Sequence, residues 1–465
     1  MPELVWNGKY DPDGARHRPC LPVSVLRTVE LGGLLSGDVP GALAVSANRL
    51  IMGETQRVLP ALLPDFAGRI NLIYIDPPFA TGLEFTSKVT LPDSPQRITR
   101  IAYRDSWDDL DSYLRWLDET LALARDLLAD DGALLLHCDW RAEGVLRLLL
   151  DDVFGADNFR NAIVWSYRSG GASRRESLAR KHDTILLYAR SPRFSIRPQT
   201  ERQYLRKPFM GSRRDAQGRH YVDTLLRDVL EGEITCVGPD ETLLRYNVRP
   251  VLNLARERLD YPTQKPLGLL RLLLTLASDP GDLILDCCCG SGATALAAET
   301  LDRRWIAADA SPLAIQTARK QLLALPSPRP FVVQRPILEG SLPVARDGGR
   351  LNVAIEQSGC MVTARLASYS PPPDSLLVAL PDEGADDTTR GLRCLDSWSV
   401  DWAYDGAIFR HAAHAARPRT GSRALPAALS HTYAAPGCYA IAIHTVDFAG
   451  TETTRVIEVD VVTST

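Results

Sequence analysis

Four consecutive residues, Asp76, Pro77, Pro78 and Phe79, place a carboxylate, a backbone carbonyl that no amide of its own turn competes for, and an aromatic face side by side. They directly follow Ile70-Asn-Leu-Ile-Tyr-Ile75, in which five of six residues are apolar or aromatic. That pattern predicts a strand buried on both faces, as parallel sheets require. Two prolines fix their own φ, remove two backbone donors and push Asp76 out of helical space. The strand therefore ends in a forced turn at its carboxyl end, the edge where open α/β sheets bind ligands.

An exocyclic amine on a nucleobase is a poor nucleophile because its lone pair is delocalised into the ring. A carboxylate and a carbonyl that each accept one of its N–H bonds draw the nitrogen towards an attacking geometry. Asp76 supplies the first acceptor and the Pro77 carbonyl the second, and Phe79 offers a face for base stacking. The same four residues also make a rigid turn and nothing more. The chemical reading needs a group-donor site elsewhere in the chain.

A candidate lies more than two hundred residues on. Leu283-Ile-Leu-Asp286 reads as a strand, and Gly290-Ser-Gly292-Ala-Thr294 opens a helix, so a ligand can approach the backbone and the helix N-terminus closely. Trp305-Ile-Ala-Ala-Asp309 is a further strand ending in an acid placed to accept two ribose hydroxyls, and Ser311-Pro312 starts the next helix. Gly290-x-Gly292-x-x-Ala295 with Asp309 downstream also satisfies the dinucleotide fingerprint. Nothing else in the chain resembles a hydride-transfer site, and that rival leaves the Asp76 turn without a purpose.

The chain has 465 residues, enough for roughly three domain-sized units. Hydrophobic content of 45% and charged content of 24% are those of an ordinary globular protein, which excludes disordered and fibrous classes. No basic-then-apolar leader and no run of eighteen apolar residues is present, so a cytoplasmic location without membrane contact is expected. The nine cysteines show no Cys-x-x-Cys spacing, and Cys287, Cys288 and Cys289 are adjacent, so no metal site is expected. The net charge of −4 hides an asymmetry: residues 160–219 hold fifteen basic and four acidic residues, +11, which leaves −15 for the rest. A mid-chain basic block with Tyr167, Phe194, Tyr204, Phe209 and Tyr221 interleaved fits a nucleic-acid surface, starting near residue 160.

In chain order, residues 1–45 are a Pro- and Gly-rich extension that wraps a later domain. Residues 46–190 hold the Asp76 turn, a polar, mobile loop over Thr81–Arg104, a Leu-rich helix from Leu110 that Gly132 is placed to end, and paired strands at Asn161–Tyr167 and Asp183–Ala189. Periodicity weakens over 191–260, which suggests an irregular inserted recognition region. Regular α/β grammar returns over 261–325, beginning with Tyr261-Pro-Thr-Gln-Lys-Pro266. Prolines at 326, 328 and 330 mark a linker to an all-β region, 326–465, whose Trp398–Gly406 and His431–Gly437 stretches resemble small β-sandwich repeats of the PKD type. His411, His414 and His444 read as ordinary core or surface residues.

The order of these motifs resembles the β-class DNA amino-methyltransferases, and most of all the modification subunits of Type III restriction systems. The resemblance rests on Leu72-Ile-Tyr-Ile-Asp-Pro-Pro-Phe-Ala-Thr-Gly82, Leu136-His-Cys-Asp139 and Lys181-His-Asp-Thr-Ile-Leu-Leu-Tyr188, and covers roughly residues 46–325. It implies an α/β, Rossmann-like sheet, mostly parallel and with circularly permuted motif order, that uses S-adenosyl-L-methionine on a base flipped from double-stranded DNA. Asp76, Pro77, Pro78 and Phe79 become the catalytic turn. Gly290, Ser291, Gly292 and Thr294 line the donor, Asp286 supports their loop and Asp309 takes the ribose hydroxyls. Thr263, Gln264 and Lys265 fall near the methionine end, and Glu54 near the adenine ring. Arg168, Arg174, Arg175, Arg180, Lys181, Arg206, Lys207, Arg213 and Arg214 are the expected DNA contacts.

One departure stands out: the family commonly has Asp-Pro-Phe or Asp-Pro-Cys before its glycine loop, where this chain has Asp286-Cys-Cys-Cys289. Asp in the catalytic turn is the family's usual choice for adenine N6, and Ser for cytosine N4. The resemblance therefore implies a site-specific adenine-N6 enzyme, with a cytosine-N4 enzyme or a non-catalytic DNA-binding subunit of a defence complex as alternatives. A restriction subunit or a second copy of the chain are the protein partners it allows.

Overall fold

The computed structural model describes residues 3–17, 24–33, 47–92, 97–168, 178–252, 255, 257–259, 261–338, 348–377, 391–418 and 423–462. Its centre is an eleven-stranded sheet. In spatial order the strands are Val229–Glu231, Phe159–Ser166, His182–Ala189, Leu128–Cys138, Ile70–Ile75, Leu283–Asp286, Arg304–Asp309, Asn48–Met52, Phe331–Leu338, Ser24–Gly32 and Phe409–Arg410. The six from Leu128–Cys138 to Phe331–Leu338 run parallel. Antiparallel strands extend the sheet on both sides.

Parallel strands are flanked by helices on both faces, and the near-continuous apolar runs of this chain follow from that. Ile70, Leu72, Ile73 and Ile75 are fully buried. The helices Thr55–Phe66, Leu110–Leu127 and Glu143–Phe154 supply one core, and the helices Leu267–Ala277 and Ala293–Thr300 supply most of the helical side of the other. The strands Ile70–Ile75 and Leu283–Asp286 are neighbours although 207 residues of chain separate Ile75 from Leu283. Their carboxyl ends bring Asp76 and Asp286 to one edge.

Three sequence expectations are corrected. Gly132 does not end a helix: Leu110–Leu127 stops earlier, and Gly132 lies within the strand Leu128–Cys138, where an added Cβ would sit 2.9 Å from the Ile70 carbonyl. Thr81–Arg104 is not an irregular loop. Leu83–Thr90 pairs antiparallel with Arg97–Asp105 as a hairpin, because alternate residues Val89, Ile98, Arg100 and Ala102 find a buried face in segments far away in sequence. The stretch after residue 190 also has regular structure. Thr200–Leu205, Arg213–Arg214, His220–Leu225, Glu233–Val237 and Leu243–Asn247 form a five-stranded antiparallel sheet, whose short strands carry too many charges to show clear alternation.

The C-terminal region is all β. Arg350–Ser358, Met361–Ser370 and Ala428–Thr432 form one sheet, and Ala413–Ala416, Leu395–Asp401, Gly437–Asp447 and Glu452–Val461 another, around a core that includes Tyr369, Trp398 and Ile443. The strand Ser24–Gly32 from the N-terminal extension joins this region to the central sheet. Its Glu30 meets Arg319 of the helix Pro312–Leu323 at 2.7 Å and His411 at 2.8 Å. Burial opposes ionisation of Glu30, but the Arg319 guanidinium holds its carboxyl well below the usual carboxylate range. Glu30, His411 and His444 stand close enough to share a cation, yet Arg319 contacts both Glu30 oxygens, so the cluster is an ion-pair network. No disulfide joins any of the eight described cysteines.

Candidate active site

A cavity of about 680 Å³ opens at the carboxyl edge of the central sheet. From the expected set, Glu54, Asp76, Pro77, Pro78, Phe79, Thr263, Gln264, Lys265, Asp286, Gly290, Ser291, Thr294 and Asp309 all line it. Residues 54 to 309 thus converge because the parallel strands that carry them end on one side.

The Asp76 turn is held at several points. Lys265 donates to Asp76 Oδ2 at 2.5 Å, while Asp76 Oδ1 is buried and has no hydrogen-bond partner among the described residues. A buried carboxylate oxygen left without a donor is costly. Asp105, at the end of the hairpin, accepts from Phe79 N and Thr81 N, each at 3.1 Å, and from Thr81 Oγ1 at 2.7 Å. Between them Ala80 takes a φ of +52°, a left-handed conformation that costs a residue with a Cβ about 1–2 kcal/mol. The strain sits directly beside the candidate reactive carboxylate.

Behind Phe79 stands His137, fully buried and stacked on the ring at 6.0 Å between centroids. His137 exchanges hydrogen bonds with Tyr74 at 3.0 Å and Asp183 at 3.3 Å, and Tyr167 donates to the other Asp183 oxygen at 3.1 Å. Burial pushes the Asp183 carboxyl up, but the bond from His137 and the charges around it leave it lowered. Trp165, Tyr167 and Asp183 also line the cavity.

On the other side, the glycine loop shapes a cradle. Gly290 N donates to Asp309 Oδ2 at 2.9 Å and Ser311 N to Asp309 Oδ1 at 2.8 Å. Asp286 Oδ1 accepts from Cys288 N at 3.1 Å, so the Asp286-Cys-Cys-Cys289 departure keeps the carboxylate-to-loop bond. Burial pushes the Asp286 carboxyl up to about 7 and the Asp309 carboxyl up to about 6. Glu54 begins the helix Thr55–Phe66 without a side-chain cap bond, which leaves its carboxylate at the cavity.

Two residues of the expected donor set act from behind the lining or within a loop. Gly292 is not among the cavity residues: at φ +82° it lets the loop pack on the helix Pro312–Leu323, where an added Cβ would lie 2.5 Å from the Ala318 Cβ. Gln264 spends its amide on its own loop, donating to the Glu257 carbonyl at 2.8 Å and accepting from Leu259 N at 2.7 Å. Gly292→Ala is expected to destabilise the protein by about 1–3 kcal/mol and to shift the loop. A chemical denaturation midpoint compared with that of Gly290→Ala, which shares a positive φ (+49°) but whose added Cβ would first meet the Tyr261 ring edge at 3.1 Å, checks this.

Basic residues are spread over the neighbouring surface. Arg180 stacks on Trp140 at 3.3 Å from the ring centroid, and Tyr167 N donates to the Lys181 carbonyl. Arg206, Lys207, Arg213 and Arg214 are exposed around one end of the five-stranded sheet, beside exposed Phe209 and Met210. Much of the local positive charge is matched by acids: Arg168 pairs with Glu231, Arg197 with Asp279, Arg202 with Asp223 and Arg219 with Asp215. Arg174 and Arg175 lie outside the described residues.

Asp105 and Tyr103 were not legible as site residues in the sequence, because only the hairpin brings them to the turn. His137 and Asp183 lay inside stretches that carried the family resemblance, without a role assigned to them.

A part-buried carboxylate on a proline-locked turn, sharing one cavity with a glycine cradle at the carboxyl edge of a parallel sheet, is an arrangement suited to group transfer on an α/β fold. The family model described as DNA methylase, for N6 and N4 positions, matches residues 70–320, more than half of the chain, and the chain belongs to that family. The Type II methyltransferase M.EcaI of Enterobacter cloacae is 28% identical over 322 residues, which cover 59% of this chain and 69% of that protein. The probable Type III restriction-modification enzyme HindVI Mod subunit of Haemophilus influenzae is 32% identical over 126 residues, 27% of this chain but only 15% of that subunit. The chain therefore spans about two thirds of the first relative and a small part of the second. A solved M1.HpyAVI–SAM complex aligns with a TM-score of 0.38 at 16% identity, over 60% of this chain and 99% of that one. No described helix is long and apolar enough to cross a membrane.

Proposed function

We propose that this protein is a site-specific DNA methyltransferase that uses S-adenosyl-L-methionine to methylate the exocyclic N6 amine of adenine in double-stranded DNA. The observation that carries the reading is the bare, buried Oδ1 of Asp76, a residue that lines a cavity also holding a glycine cradle. The donor set fits the cofactor. Glu54, Asp76, Asp286 and Asp309 make the cavity acidic, which suits a cofactor carrying a sulfonium and an ammonium, and Asp309 is the acid assigned to the ribose hydroxyls in this reading.

When bound, the cofactor supplies an electrophilic methyl group. The chain's own residues do the rest. Lys265 fixes Asp76 through Oδ2 and leaves Oδ1 to accept one N–H of the target amine; the Pro77 carbonyl accepts the other. Phe79, backed by the buried His137 ring, gives the flipped base a rigid stacking surface worth roughly 1–3 kcal/mol. Together with the two hydrogen bonds this offsets the few kcal/mol that flipping costs. Orientation of the amine in line with the methyl is the main catalytic contribution, on the order of 7–11 kcal/mol at best.

Adenine is preferred over cytosine because the turn carries Asp76 rather than Ser, and because Type III Mod subunits are among the relatives. The test is to incubate the protein with mixed-sequence duplex DNA and isotope-labelled donor, digest to nucleosides and separate them by mass spectrometry. Label in N6-methyl-2′-deoxyadenosine is the expected result; label in N4-methyl-2′-deoxycytidine overturns the choice of base, and no label overturns the enzyme reading.

A pH dependence follows from the two buried acids. Their raised pKa values mean that the free folded protein holds protons that the unfolded chain, with carboxyls near 4, has already released. Their contribution to stability therefore falls as pH rises from about 4 towards 6 or 7. Cationic donor favours the ionised forms, so its binding is expected to tighten over the same range. Calorimetric titrations at pH 5.5 and 7.5 should give a lower Kd at pH 7.5, with proton release on binding at pH near 6.

A further inference from the structure

The hairpin Leu83–Thr90 and Arg97–Asp105 reaches two places at once. At its near end Asp105 holds the amides of Phe79 and Thr81, and Tyr103 bonds to Thr263 at 3.1 Å. Phe85, Ala102 and Tyr103 wall the cavity, with the Phe85 and Tyr103 rings stacked at 4.7 Å. At its far end Val89, Leu91 and Ile98 are buried in the core of the C-terminal β region. Arg423 of that region donates to the Thr90 carbonyl at 2.7 Å, and Arg100 reaches the Phe448 carbonyl. One buried face thus runs along the hairpin from the C-terminal core, through Ile98 and Arg100, to Ala102 against Tyr261 and Leu313 beside the cavity.

An isolated two-stranded hairpin is marginal in water, and this one pairs with no third strand among the described residues. Its order therefore depends on what covers that face. We propose that the C-terminal β region is a brace for the active site: by anchoring the far end of the hairpin, it holds Asp105 and Tyr103 against the Asp76 turn and keeps the cavity wall in place. Val89, Ile98, Arg100 and Arg423 are positioning residues in this scheme, since none of them lines the cavity. The effect on donor binding rests on the function proposed above; the effect on the turn does not.

The full-length chain carrying Val89→Ala and Ile98→Ala tests this, with Ile98→Val as the conservative control. Hydrogen–deuterium exchange of the free proteins is expected to show at least tenfold faster exchange of the 97–105 amides, and of Phe79 and Thr81, in the double variant, with the central-sheet amides unchanged and Ile98→Val like the parent. The Kd for S-adenosyl-L-methionine is expected to rise about tenfold. Should the double variant fail to fold, Arg423→Ala removes one anchoring bond and is expected to give a smaller change in the same amides. Unchanged protection of 97–105 and the turn overturns the brace. Loosened amides with an unchanged Kd overturn its coupling to the cavity, whereas a parent protein that binds no donor counts against the cofactor reading and leaves the exchange result to judge the brace alone.

Discussion

Asp76→Ala should lower the single-turnover rate of methyl transfer by a factor of about 10²–10³ or more while duplex DNA affinity stays within about twofold. Removing one preorganised hydrogen-bonding group at the reacting centre typically costs that much, because the group acts in a site shielded from water and needs no reorganisation. The basic surface that would bind phosphates lies on other elements, so affinity survives. The variant also leaves the Lys265 ammonium, about 10% exposed, without its 2.5 Å partner. Adding Lys265→Met removes that unpaired charge; the double variant should regain stability but no activity. Rates from labelled donor and affinities from filter binding give both numbers, and a single variant that methylates at the parental rate contradicts the role of the turn.

The second large effect is expected at Asp105, which lines the cavity and holds the Asp76 turn in place. Its carboxylate is about 1% exposed and satisfies three donors of the turn, Phe79 N, Thr81 N and Thr81 Oγ1. Asp105→Ala leaves those donors bare, for a stability loss of about 2–4 kcal/mol. It also frees Ala80 to leave its strained left-handed conformation, which moves Phe79. A shift of about 1 Å at a reacting centre costs on the order of a hundredfold, so kcat should fall by about that factor. Asp105→Asn keeps one carbonyl oxygen for the same donors and should retain much more of both. Thermal melts and steady-state kinetics on the two variants check this; equal kcat for parent and alanine variant contradicts it.

The contrast between Asp76 and Asp105 shows how far the sequence could be read. Asp76 was legible because the signals that mark it are local: an apolar run, two prolines and a following ring. The glycine loop and Asp309 were legible for the same reason, as were the strands Leu283–Asp286 and Arg304–Asp309, where β and α periodicities alternate cleanly. Asp105 was not, because its function depends on a hairpin whose buried face is supplied by residues more than two hundred positions away. Read alone, the polar residues of Thr81–Arg104 looked like a solvated loop.

The basic block had the converse problem. Its charge was plain in the sequence, but pairing is a property of space. Asp223 lies on a strand next to Arg202 and neutralises it, and Glu231 does the same for Arg168. Arg206 and Lys207 are exposed, whereas Arg168 and Arg202 are paired, so the raw count of fifteen cations overstates the positive surface. The weak periodicity after residue 190 likewise reflects a small antiparallel sheet with charged residues on both faces, a pattern that local hydropathy cannot separate from a loop.

The most direct test of the whole account is single-molecule sequencing of modified bases in genomic DNA from cells that express either this protein or its Asp76→Ala form. Modified adenine at one recurring sequence is expected in the first culture and none in the second. Marks that persist with Asp76→Ala, or a modified cytosine in place of adenine, would contradict it.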